Sequence, residues 1–164
     1  MNLNFLVNTC SEPARDDIEF GLCDDQNGKK AYSNVDTPAK WIAIVKNTNN
    51  INLVFTPIDK CLIKDDEFPG RGRCDGLLMS AKHLYFIELK DEAKSWISGA
   101  IDQLESTIEF FKENHDINLY PYKKAFACNK KHRHFQEIDN ELNNSFFRKH
   151  KVRIDIQAEI LVVN

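Results

Sequence analysis

The sequence has no long apolar run, no paired cysteine motif and no excess of positive charge, and each lack removes a class of protein. No stretch of the 164 residues approaches the roughly 20 apolar residues that a membrane-spanning helix needs. The N-terminus, MNLNFLVNTC, carries no basic leader ahead of its short apolar patch. The expectation is a cytoplasmic protein with no membrane partner. Five cysteines, at positions 10, 23, 61, 74 and 128, are odd in number and contain no C-x-x-C, so neither a disulfide framework nor a zinc ribbon is indicated. The formal net charge is -3, whereas proteins that clamp nucleic acid non-specifically are usually basic. No internal repeat, low-complexity tract or interdomain linker divides the chain. With 42% hydrophobic residues it reads as one globular domain.

Within that domain the charge is unevenly spread. Asp16, Asp17, Glu19, Asp24 and Asp25 crowd the front, while Lys123, Lys124, Lys130, Lys131, Arg133, Arg148, Lys149, Lys151 and Arg153 gather toward the back. A local basic surface is therefore compatible with an acidic total.

The most informative stretch is Arg71 to Lys90, RGRCDGLLMSAKHLYFIELK. It reads as two apolar strands joined by a short turn, at Ala81 and Lys82 or at Ser80 to His83. Either turn sets residues whose numbers sum to 163 opposite one another, which places Asp75 against Glu88. Like charges directly opposed cost a sheet up to about 1 kcal/mol, and more once desolvated. A divalent cation between them removes the penalty. Because side chains alternate along a strand, Glu88 and Lys90 share a face and Leu89 points to the other.

The rest of the chain supplies a scaffold. Residues 1–40 form an N-terminal extension in which Ser11 is placed to cap a first helix running to Phe20, and Gln26-Asn27-Gly28-Lys29 is a turn that closes a hairpin between 19–23 and 30–33. Residues 41–163 are the core. Trp41–Val45 and Ile51–Phe55 alternate around Asn47-Thr48-Asn49-Asn50 as a second hairpin, and 60–72 is a polar loop. Asp91 is the expected N-cap of a long helix carrying Ala93, Trp96, Ile97, Ala100, Ile101, Leu104, Ile108 and Phe111 on one face up to about Asn114. Residues 123–128 read as a buried strand parallel to the one ending at Lys90, since a long helix is the usual crossover connection. Phe135, Ile138, Leu142 and Phe146 mark a second helix, and Val152 to Ile160 alternate as a terminal strand.

Asp75 followed a dozen residues later by Glu88-Leu89-Lys90 and a long helix resembles the PD-(D/E)xK nuclease superfamily, with Cys74 where the family name has proline. The resemblance implies an α/β restriction endonuclease-like core, a mixed central sheet flanked by helices, with the N-terminal hairpin as an addition. It implies Mg²⁺ or Mn²⁺ held by Asp75, Glu88 and the Leu89 carbonyl, with Asp75, Glu88 and Lys90 catalytic. Gln103 borders the active site by the same analogy, although the family's aromatic four residues on is Thr107 here. A glutamate on the first helix often completes the family's metal site, a part open to Glu19 or Glu12. Arg71, Arg73, Lys130, Lys131 and Arg133 are the candidates for phosphate contacts, since guanidinium groups bind phosphate in a bidentate manner.

The implied function is hydrolysis of nucleic-acid phosphodiesters, DNA before RNA, in restriction, repair or phage defence. A homodimer is the economical route to cutting both strands of a duplex, and a partner protein supplying targeting fits a small nuclease. The alternative is a module of the same fold that has lost catalysis and serves in binding or immunity, which the acidic net charge favours.

Overall fold

A computed structural model describes residues 3–134 and 140–164. The architecture is α/β with two mixed sheets and two helices. The larger sheet contains β4 (Val54–Pro57), β5 (Gly76–Met79), β6 (His83–Lys90), β7 (Tyr122–Asn129) and β8 (Arg153–Ile156), side by side in that order. The smaller contains β1 (Glu19–Cys23), β2 (Tyr32–Asn34), β3 (Ala43–Lys46) and β9 (Glu159–Leu161) in the order β2-β1-β3-β9.

Alternation along β6 divides the core into two layers. Leu84 and Phe86 join Leu77, Ala125, Ala127, Ile154 and Ile156 on one face, under Ala100, Ile101, Leu104, Ile108 and Phe111 of α1 (Ile97–Asn114) and Phe146 of α2 (Asn140–His150). Tyr85, Ile87 and Leu89 point the other way, into Phe20, Leu22, Ala43, Val45 and Ile160 of the smaller sheet. Both faces of β6 are thus covered, which is why HLYFIELK reads as a continuous apolar run rather than an alternating one. Helices cover one face of the large sheet and the small sheet covers the other. The flanking expected on the second face is supplied by strands, not helices.

Several local expectations change with that arrangement. The 19–23 hairpin forms, with Leu22 opposite Ser33. No helix occupies 11–20; Arg15 pairs with Leu53 through backbone bonds, and Asn4 and Asn8 tie successive amides of the segment before it. The two strands around Asn47 do not pair with each other: β3 joins β1 and β9, and β4 joins β5. Asn47 explains the divergence. Fully buried, its side chain donates to the carbonyls of Asp17 and Ile51 and accepts from the Ile51 amide, which holds a wide turn that passes the chain between sheets. The terminal alternating run is likewise split, β8 pairing in parallel with β7 and β9 with β3.

Helix α1 starts at Ile97, not after Asp91, because Ser95 sits at φ 60°, a left-handed conformation that a helix cannot include. It ends at Asn114 as the periodicity predicts. The parallel pairing of β6 with β7 across this helix also follows the crossover rule. Of the second helix, Leu142 and Phe146 lie in α2, while Phe135 and Ile138 lie outside the described residues. His150 closes α2 onto α1, its buried ring set between Glu105 and Glu109. Cys10 and Cys61 form a disulfide, where the odd count without C-x-x-C indicated no disulfide framework; Cys23, Cys74 and Cys128 are free and buried. Nothing in the spacing of 51 residues announces that bond. Among the described residues no helix is long and apolar enough to cross a membrane.

Candidate active site

The β5–β6 hairpin has the register that the sequence implies: Gly76 faces Ile87, Leu77 faces Phe86 and Met79 faces Leu84, all summing to 163. Ser80 closes the turn by accepting the amides of Lys82 and His83 on its hydroxyl. Asp75, one residue before β5, therefore reaches Glu88 on the helix-covered face. Asp75 is 9% exposed and Glu88 4%. Gly76, next to Asp75, lets the Phe55 ring of β4 pack directly on the strand, since a Cβ there would lie 2.4 Å from that ring and 3.1 Å from the Thr56 carbonyl.

Burial raises the Asp75 carboxyl well above the ordinary carboxylate range, and the neighbouring Glu88 charge adds to the rise. One bond opposes it: Asp75 Oδ2 accepts the Leu89 amide at 2.7 Å. Burial also lifts Glu88, to about 7, against the pull of Lys90 and of a hydrogen bond with Asp75. The two carboxyls thus titrate together, each displaced upward by burial. Lys90 Nζ lies 3.3 Å from Glu88 Oε2; burial pulls the ammonium down, yet Glu88 lifts it above its usual value. Lys90 is charged, and its charge is held on the same face as the acid pair.

Two further acids bear on this pair that the sequence reading did not single out. Asp59 continues the β4–β5 ladder, its amide donating to the Cys74 carbonyl at 3.3 Å, and its charge raises Glu88. Asp24, just past β1, raises Asp75. The signal for Asp59 lies in the register, because a strand pairing with 76–79 continues to set residue 58 opposite Asp75 and residue 59 opposite Cys74. Glu19 is elsewhere. It stands at the opposite end of β1 in an exposed pair with Lys46, and Glu12 is bonded to Ser33.

The backbone leading into Asp75 is fixed by α1. Gln103 Oε1 accepts the Arg73 amide and Thr107 Oγ1 accepts the Cys74 amide, both at 2.7 Å. Gln103 therefore positions the strand, and Thr107 continues the same task one turn on. Asn129 does the equivalent on the other side of Lys90. Fully buried beside Lys90 on β7, its side chain holds both the amide and the carbonyl of Glu92 and the amide of Lys131.

The basic residues read as phosphate contacts are engaged within the chain. Arg71 pairs with Glu113 and stacks on Phe110; Arg73 bridges Asp59 and Asp65. Lys130 donates to the Ala39 carbonyl, Lys131 pairs with Asp91, and Arg133 donates to the Trp41 carbonyl. Chemically, the site offers two facing carboxyls, a backbone oxygen and one ammonium. The Leu89 carbonyl leaves the strand on the side of its amide, toward Asp75, as extended backbone requires. The chain matches no protein-family model, no curated protein and no solved structure, so the reading of this site rests on its geometry.

Proposed function

We propose that the protein is a metal-dependent phosphodiesterase acting on nucleic acid, DNA before RNA, with a core of the PD-(D/E)xK kind. The observation that supports this reading is the pair of buried carboxyls facing each other across adjacent strands with an ammonium beside one of them. A purely structural hairpin gains nothing from two desolvated acids, whose mutual repulsion burial makes worse. The donors are oxygens only, which suits Mg²⁺ or Mn²⁺, hard ions that keep several waters. Asp75, Glu88 and the Leu89 carbonyl would hold such an ion, and when bound it supplies a water of lowered pKa beside the phosphate.

The residues of the chain do the rest. The Leu89 amide orients Asp75, leaving its second oxygen for the ion. Glu88 holds Lys90 in place, and the ammonium stabilises the negative charge that develops on the phosphoryl oxygens as water adds and a P–O bond breaks. Lys90 is needed for cleavage but not for holding a cation. Purified protein incubated with single- and double-stranded DNA and RNA in Mg²⁺ or Mn²⁺ tests the reading. Lys90→Ala should lower cleavage by a factor of about 10² or more while metal binding persists. Cleavage surviving both Lys90→Ala and Glu88→Ala refutes the assignment.

A binding or immunity module is the second reading. Among the described residues no three of His, Cys, Asp and Glu converge as a metal-ligating group, which favours it. A wild-type protein that cleaves none of these substrates, with biological activity intact in Lys90→Ala, decides for it.

A further inference from the structure

The five cations assigned to phosphate are engaged in contacts within the chain, and other lysines are not. Four lysines line an open cleft of about 460 Å³: Lys29 and Lys30 in the β1–β2 turn, Lys60 and Lys64 in the loop that leaves β4, together with Gly28 and Asp65. Lys60 pairs with Asp65. Lys29, Lys30 and Lys64 are exposed, and their ammonium groups meet no carboxylate among the described residues. Of the neighbouring acids, Asp25 accepts the Tyr32 hydroxyl and Glu67 accepts the Lys64 amide, while Asp66 is exposed between Asp65 and Glu67.

The loop that forms one wall of the cleft starts beside the acid pair. The Ile58 amide donates to the Asp75 carbonyl and the Asp59 amide to that of Cys74, so the loop bearing Lys60 and Lys64 departs directly from the strand beside Asp75. Arg73, two residues before Asp75, ties Asp59 at the root of that loop to Asp65 on the cleft wall. The opposite wall is the turn that follows Asp24, just past β1. Asp24 and Asp59 stand at the roots of the two walls, and beyond them the cleft carries four lysines and Asp65. Four ammoniums spread over two loops around an open cleft suit a polymer of repeating charge. A small anion wants converging donors in an enclosed site.

We infer that the cleft between the β1–β2 turn and the 59–65 loop is the track of a nucleic-acid backbone whose scissile phosphate lies at Asp75 and Glu88. The inference rests on the phosphodiesterase reading, and its test separates the two. Binding of a fluorescein-labelled 30-nucleotide DNA single strand is followed by anisotropy across a salt series, in EDTA and again in Ca²⁺, for the wild type and for Lys29→Gln/Lys30→Gln/Lys64→Gln. Removing three phosphate contacts should lower the slope of log K against log salt by about 2, at about 0.7 per contact on a single strand. All three residues are exposed, so the melting temperature should not change, and the variant's cleavage in Mn²⁺ should fall with its affinity.

If the wild type binds and cleaves but the variant keeps both affinity and slope, the cleft is refuted and the phosphodiesterase reading stands. Lysine-dependent binding without any cleavage supports the cleft and removes the catalysis. A wild type that neither binds the single strand in either condition nor cleaves it in Mn²⁺ overturns both.

Discussion

Replacing Glu88 by glutamine keeps the shape of the side chain and removes its titration, which isolates the electrostatic cost of the buried pair. In the folded chain Glu88 rises from an ordinary 4.5 to about 7. The folded state therefore holds a proton that the unfolded state releases between those values. Stability linked to this group is fully present below pH 4.5, declines as pH rises toward 7 and is flat above. At about 1.4 kcal/mol per pH unit the rise corresponds to about 3 kcal/mol. Asp75 is displaced in the same direction and adds to the decline. His115 works in the opposite sense, because burial lowers it and its ring nitrogen accepts the Phe5 amide, so protonation in acid costs stability. Comparing variant with wild type cancels that contribution.

The assay is urea unfolding in EDTA at intervals from pH 4.5 to 8. Against Glu88→Gln, the wild type should lose about 3 kcal/mol across the range, a large share of the 5–15 kcal/mol typical of a domain. At pH 8, Mn²⁺ at a hundred times its dissociation constant should return about 2.7 kcal/mol to the wild type. Asp75→Ala should abolish that gain. Parallel pH profiles for wild type and Glu88→Gln would refute the argument, because two carboxyls that titrate normally are neither desolvated nor facing.

Three other substitutions test the frame around the site. Thr107→Val leaves the buried Cys74 amide without its acceptor and should cost about 1–3 kcal/mol in urea unfolding, whereas Thr107→Ser should restore it. Reducing the Cys10–Cys61 disulfide should cost up to about 4 kcal/mol, the loop-closure value for a separation of 51 residues, and reductant should have no effect on Cys10→Ala/Cys61→Ala. Gly76→Ala should lower the melting temperature and weaken Mn²⁺ binding together in calorimetry, since the added methyl meets Phe55 one residue from Asp75; a variant that binds Mn²⁺ normally would show that Asp75 does not depend on this packing.

The hairpin was legible because both of its determinants are local. Strand period fixes which side chains share a face, and a turn of two or four residues fixes the register, so Asp75 opposite Glu88 follows from counting. The end of α1 was legible for the same reason, whereas its start was displaced by one residue, Ser95, in a conformation that no apolar pattern encodes. Apolar alternation in 41–45 and 51–55 correctly marks strands. It carries no information about whether they pair with each other or with strands far along the chain.

What decides those partners is a small set of buried or half-buried polar side chains whose bonds are long-range or bridge a turn. Asn47 converts an expected hairpin into a crossing between sheets. Gln103 and Thr107 reach 30 and 33 residues back to hold the approach to Asp75, and Asn129 reaches 37 residues back to hold the turn after Lys90. Each is a polar group that burial would penalise by about 1–3 kcal/mol if left unpaired, so each admits few alternative arrangements. The apolar pattern determines which faces are buried, and these side chains determine where the strand ends lie. Asp75 and Lys90 are both found at strand ends, which is why the residues that position them matter as much as the hairpin that carries them.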